Sequence, residues 1–218
     1  MRKYLLGLVM LSSIVSCTTS RLIKPLDKGE KQIAASLGGP LMNLGVPVFL
    51  PLSAINFAYG ADSNTSVYGD IHLTSGLFGV MHLDAGVLQS IYASPKFGVT
   101  SSLQANYMLD FWQGQSRFYP QLDVNAYYNY RTKKEHFVYL GFTNWFELSS
   151  TRAHNEEQAV HWIPAVQLGH VWDKGKWLHQ FEMKYLAPNY SNQGIVVDYI
   201  SLGGKGSLGA YYTISRRF

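Results

Sequence analysis

Two groups of side chains in this 218-residue chain have the types and spacing to do chemistry. In Tyr68-Gly69-Asp70-Ile71-His72 and again in His82-Leu83-Asp84, acids and imidazoles recur at every second position. If Gly76-Leu77-Phe78 is a loop between two strands, His72 faces His82 and Asp70 faces Asp84, on the side that also carries Tyr68 and Thr74. Ile71 with Leu83 and Leu73 with Met81 then form an apolar opposite side. Directly opposed aspartates repel unless they share a proton or a cation stands between them. Two imidazoles and two carboxylates could ligate a divalent metal. The simpler expectation is a polar network without a resident metal, with a basic side chain such as Lys184 or Arg217 supplying the charge. The second group is the stretch S-S-T-R-A-H-N-E-E-Q-A-V-H, which holds His154, Glu156, Glu157 and His161. Imidazole beside carboxylate is the material of acid–base catalysis. A charged loop facing water explains the same residues more simply, because there is no Gly-x-Ser-x-Gly elbow and no zincin helix.

The elements that must position these groups are strands. Ten segments alternate in polarity, roughly 29–39, 48–60, 65–75, 79–92, 97–109, 117–130, 136–147, 161–172, 176–187 and 206–218. Short connections at Asp62-Ser63-Asn64, Ser94-Pro95-Lys96, 131–135 and Lys174-Gly175 alternate with mostly longer ones, above all 148–160 and 188–205. That rhythm marks a transmembrane barrel, and an even strand count puts both termini on the short-turn side. A two-residue turn at Lys174-Gly175 places Trp172 opposite Trp177, His170 opposite His179 and Leu168 opposite Phe181, with Gln167, Glu182 and Lys184 on the other face. Trp162 and Trp172 share the apolar face. At ~3.4 Å per residue and a ~40° tilt they stand about 26 Å apart, the separation of two aromatic girdles. Trp162, Trp172 and Trp177 are therefore girdle candidates, and the histidine pair is the exception on an otherwise apolar face. Periodicity alone does not say which face is inside, so a soluble β-barrel with the apolar face buried is the opposing reading.

The last stretch, G-S-L-G-A-Y-Y-T-I-S-R-R-F, has Leu208, Ala210, Tyr212, Ile214 and Phe218 on one parity and mostly polar or small residues on the other. It resembles the closing strand of bacterial outer-membrane β-barrels, which implies that Phe218 is part of the signal read by the barrel-assembly machinery. At the other end Arg2 and Lys3 precede an apolar stretch from Tyr4 to Val15, too short to span a bilayer comfortably. Ile14-Val15-Ser16-Cys17 resembles the lipobox of bacterial lipoproteins. The resemblance implies cleavage before Cys17, a covalent lipid on its sulfur and amine, and, with Thr18 rather than Asp following, an outer-membrane destination. Cys17 is the only cysteine, so it cannot close an internal disulfide.

The expected organisation is a signal peptide over 1–16, a lipidated tether over 17–28 and, over 29–218, an all-β domain. That domain is a single antiparallel transmembrane β-barrel of about ten strands, within a range of about eight to twelve. Loss of Arg2 and Lys3 with residues 1–16 lowers the formal charge from +4 to +2, too little to argue for nucleic acid. Outer-membrane lipid and the assembly machinery are the expected partners; a loop partner has no signature, and no cofactor beyond the lipid on Cys17 is expected. Both termini would lie on the periplasmic side. The expected role is non-enzymatic, either structural or recognition through the outer loops. The alternatives are a narrow solute pore, an outer-membrane hydrolase working at the rim, and a lipid-anchored soluble barrel holding an apolar ligand.

Overall fold

The segment H-F-V-Y-L-G-F-T-N-W-F turns Val138, Leu140 and Phe142 to one side and Phe137, Tyr139, Thr143 and Trp145 to the other. An extended chain with that pattern needs different surroundings on its two faces. The computed structural model describes residues 20–131, 136–150, 157–158, 160–192 and 198–218. In it this segment is one of ten long strands that close into an antiparallel barrel. The strands are β1 (Lys31–Asn43), β3 (Leu52–Gly60), β4 (Thr65–His72), β5 (Val80–Ala93), β6 (Phe97–Asp110), β7 (Ser116–Arg131), β8 (His136–Phe146), β9 (Trp162–Lys174), β10 (Trp177–Ser191) and β11 (Lys205–Arg217). A three-residue β2 (Pro47–Phe49) lies against the end of β1. Each long strand pairs with the next, and β11 returns to β1 from Gln32↔Arg217 to Pro40↔Gly209. Beyond the ladder, the Phe218 N–H donates to the Lys31 carbonyl at 2.9 Å, so the last residue is fixed to the start of the first strand.

The apolar parity faces out. Ile33, Leu37, Phe57, Ile71, Leu103, Leu140, Leu168 and Phe181 are all exposed, while Gln104, Asn106, Gln121, Asn125, Gln167 and Glu182 are buried in the lumen. This settles the direction that periodicity left open, and it removes the reading of a soluble barrel with an apolar interior. Connections 61–64, 94–96 and 175–176 lie at the end where β1 starts and β11 finishes, opposite the longer ones.

Three local expectations change. The second segment breaks at Leu50-Pro51 into β2 and β3, because Pro51 has no N–H to continue a ladder. The third ends at His72, and a short helix α1 (Leu73–Leu77) replaces the loop expected at Gly76-Leu77-Phe78. The buried Thr74 hydroxyl ties α1 to the start of β3, donating to the Pro51 carbonyl and accepting the Ser53 N–H. In the β9–β10 hairpin the turn is Gly175-Lys176, and Gly175 takes φ +84. The register therefore shifts by two: Trp172 pairs with His179 and His170 with Phe181, rather than Trp with Trp and His with His. A shift of two preserves the faces, so the outer and inner sets stand as read. The outward histidines each share a 2.6 Å hydrogen bond with a phenol, His170 with Tyr130 two strands away on β7 and His179 with Tyr212 on the adjacent β11.

Candidate functional site

Strands β4 and β5 meet in the register read from the sequence, with Asp70 opposite Asp84 and Ile71 opposite Leu83. The inward parity brings Asp70, His72, His82 and Asp84 together in the lumen, all buried. The imidazoles of His72 and His82 stack with ring centres 3.7 Å apart and planes within 6°. His72 Nε2 lies 2.8 Å from Asp84 Oδ2, and Asn56 Nδ2 donates to Asp70 Oδ1 at 2.6 Å. Beyond His82 the lumen continues into aromatic rings, Trp145 edge-on to His82 and Tyr119 against Trp145.

The cation between the aspartates is Arg21. Its Nε stands 3.7 Å from Asp70 Oδ2, its Nη2 3.6 Å from Asp84 Oδ2, and its Nη1 3.6 Å from Asp123 Oδ2 on β7. Nη1 also donates to Gln104 Oε1 on β6, which accepts the Tyr68 hydroxyl as well. Lys184 and Arg217, the cations expected there, lie elsewhere: Lys184 pairs with Glu182 at 3.1 Å and Arg217 stands 3.9 Å from Glu30. Among the described residues His72, His82 and Asp84 offer donor atoms within 4.8 Å of one another, a set that suits a divalent metal. Asp84 Oδ2 in that set is already shared between His72 and Arg21.

Arg21 does not come from the wall. It belongs to the stretch Ser20-Arg21-Leu22-Ile23-Lys24-Pro25-Leu26, which was expected to be a tether and which packs inside the barrel. Ile23 enters a cluster of Tyr127, Phe137, Tyr139, Val171 and Leu178, and Leu26 enters one of Ala58, Tyr68 and Leu88. Fully burying such a side chain stabilises by roughly 1.5–3 kcal/mol. The Lys24 ammonium lies over the rings of Tyr127 and Phe137 and donates to Asn129. The backbone is held by side chains and not by strand ladders: Thr100 Oγ1 donates to the Ile23 carbonyl, Gln180 Nε2 to the Arg21 carbonyl, and the Leu26 N–H donates to Ser66 Oγ. The Ser20 hydroxyl donates to Glu182 Oε1, whose other oxygen accepts from Tyr139 at 2.6 Å. The sequence did hold a signal for this plug. Leu22, Ile23 and Leu26 are three large apolar residues in a stretch of seven that a solvated tether would not need.

Of the outer-loop group, the described Glu157 and His161 do not join the lumen cluster. His161 is exposed and its Nδ1 hydrogen-bonds the Glu147 carbonyl at 2.8 Å; Glu157 is exposed. His154, Glu156 and Cys17 lie outside the described residues. Glu147, which the sequence reading did not single out, is buried at the end of β8; that burial raises its carboxyl above its ordinary range, and the Ser149 backbone N–H pulls the other way. Trp162, Trp172 and Trp177 all face outward, Trp162 at the long-loop end of β9 and the other two beside the Gly175-Lys176 turn.

No protein-family model matches the sequence, and no curated protein matches it. Solved structures do match. An outer-membrane channel from Pseudomonas putida F1 superposes with a TM-score of 0.58 at 7% identity, over 92% of this chain and 100% of that one. The NanC porin gives 0.48 at 10% identity over 86% and 98% of the two chains, and the toluene transporter TbuX of Ralstonia pickettii gives 0.40 at 10% over 88% and 90%. Identities this low speak for the fold alone: the chain is a closed β-barrel of the bacterial outer-membrane kind.

Proposed function

We propose that the protein is a narrow solute pore of the bacterial outer membrane, closed in the observed state by its own amino-terminal segment. The observation that carries this reading is the origin of the plug. Arg21, Ile23 and Leu26 fill a polar, charged lumen from a segment outside the wall, so the barrel can lose its filling without losing a strand. A purely structural barrel has no need for a filling separable in this way. About eight strands leave an interior just filled by side chains, so ten leave a passage that is narrow at most. The match to a protein described as an outer-membrane channel supports the same reading. Loop recognition, the role first expected, has no arrangement behind it among the described outer residues that compares with the lumen. In this reading Cys17 is lipidated and both termini are periplasmic. Cys17 is four residues from Arg21, a reach of at most ~14 Å, so anchorage and plugging draw on the same short segment.

The test is single-channel recording in planar bilayers, wild type against the double substitution Ile23→Asp, Leu26→Asp. Two carboxylates placed in apolar sockets beside an acidic lumen should expel the segment. Stepwise conductance that is rare in the wild type and frequent in the variant is expected. Two silent proteins, both still folded by heat-modifiable migration, would mean the barrel does not conduct.

A further inference from the structure

We infer that the lumen holds a binding site for solutes carrying a guanidinium group, which Arg21 occupies in the closed state as an internal stand-in; this rests on the pore reading above. The argument starts from the wall. Asp70, Asp84 and Asp123 project inward from β4, β5 and β7, at 3%, 6% and 5% exposure, and Asp70 and Asp84 are directly opposed. Such a trio repels unless it takes up protons or faces a cation, and a cation satisfies all three acids at once. Among the described residues the lysine or arginine paired with these acids is Arg21 of the plug, while the wall's Lys184 is paired with Glu182.

The arrangement of acceptors selects the class of cation. Each nitrogen of the Arg21 guanidinium faces a different carboxylate, Nε to Asp70, Nη2 to Asp84 and Nη1 to Asp123, with Gln104 of β6 as a further acceptor for Nη1. Three carboxylates, each nearest a different nitrogen of one group, suit a delocalised three-nitrogen fork better than a compact ammonium ion. The stand-in pairs with the three carboxylates without hydrogen-bonding them. Its three ion-pair distances are 3.6–3.7 Å, against about 2.7–2.9 Å for a charge-assisted hydrogen bond. Among the described residues Arg21 Nε and Nη2 make no hydrogen bond, and neither do the buried acceptors Asp70 Oδ2, Asp84 Oδ1 and Asn56 Oδ1. The plug ties the Arg21 side chain to a backbone whose neighbours Ile23 and Leu26 sit in their own sockets. A free guanidinium is not tied in that way and can close those gaps once the segment withdraws.

The probe is methylguanidinium chloride, titrated calorimetrically into the full chain in detergent, with sodium chloride at equal ionic strength as the blank. Arg21→Ala is expected to bind one equivalent, the wild type at least about tenfold more weakly, and Arg21→Ala with Asp84→Asn about tenfold more weakly than Arg21→Ala. Millimolar methylguanidinium should also raise the temperature at which Arg21→Ala loses its folded, heat-modifiable form. No binding to Arg21→Ala, or binding that ignores Asp84→Asn, overturns the site. If Arg21→Ala does not fold, the Ile23→Asp, Leu26→Asp variant takes its place, and the same absence of binding overturns the site. Conductance separates the two ideas. Channels that open in the plug variant but are not blocked by methylguanidinium leave the pore and remove the site. A silent barrel that still binds the probe leaves the site and removes the pore.

Discussion

Three tyrosines in the lumen lie flat across a glycine on the neighbouring strand: Tyr68 over Gly86, Tyr127 over Gly98 and Tyr139 over Gly169. A Cβ at Gly169 would stand 2.1 Å from Tyr139 Cζ, so the absence of a side chain there is what gives the ring its place. The ring in turn places a hydroxyl that donates to Glu182 and accepts from Gln180, and Glu182 anchors Ser20 of the plug. Gly169→Ala is therefore expected to displace Tyr139 and destabilise the barrel by about 1–3 kcal/mol, the usual penalty of overpacking. Urea unfolding from phospholipid vesicles measures it. A loss under about 0.5 kcal/mol, the size of an ordinary surface substitution, would show that the ring moves aside freely.

At the scale of elements, alternation was legible almost everywhere because the two faces of each strand meet different media. All ten segments recur as strands, and the register of β4 with β5 came out as read because His72/His82 and Asp70/Asp84 match in type across the turn. Turn position was less legible. In Asp173-Lys174-Gly175-Lys176, matching tryptophans and matching histidines favoured one pairing, whereas the preference of Gly175 for positive φ set another. The plug was not legible as a plug, since its residues follow no period and its partners are scattered over eight strands. The cluster of acids and histidines was found, and its cation was not. The corrected register is itself testable. In a refolded chain carrying Cys17→Ser, the cysteine pair Leu168→Cys with Met183→Cys should oxidise readily, because directly opposed residues lie within disulfide reach. Leu168→Cys with Phe181→Cys is diagonal, at about 7–8 Å, and should not. Preferential oxidation of the diagonal pair would restore the Trp–Trp register.

For the whole molecule, the decisive property is the direction of its apolar surface. Val67, Val87, Leu103 and Leu122 form a row of cross-strand partners over β4 to β7, all of them facing out. Leu103, 64% exposed, is near the middle of β6, while Phe97, 42% exposed, begins that strand beside the 94–96 turn. In water an exposed leucine is unremarkable, and replacing it by arginine changes little. In a bilayer the outcome depends on depth, because a charge near the midplane loses its water and one at the interface keeps it. Leu103→Arg is therefore expected to destabilise the barrel in phospholipid vesicles by about 2–4 kcal/mol, and Phe97→Arg by about 0–1 kcal/mol. The contrast between the two positions carries the test, since general damage from arginine would affect both alike. Equal small effects in vesicles would mean that this row does not meet hydrocarbon. The pore, the girdle tryptophans and the guanidinium site would then lose the membrane that gives a polar lumen its purpose.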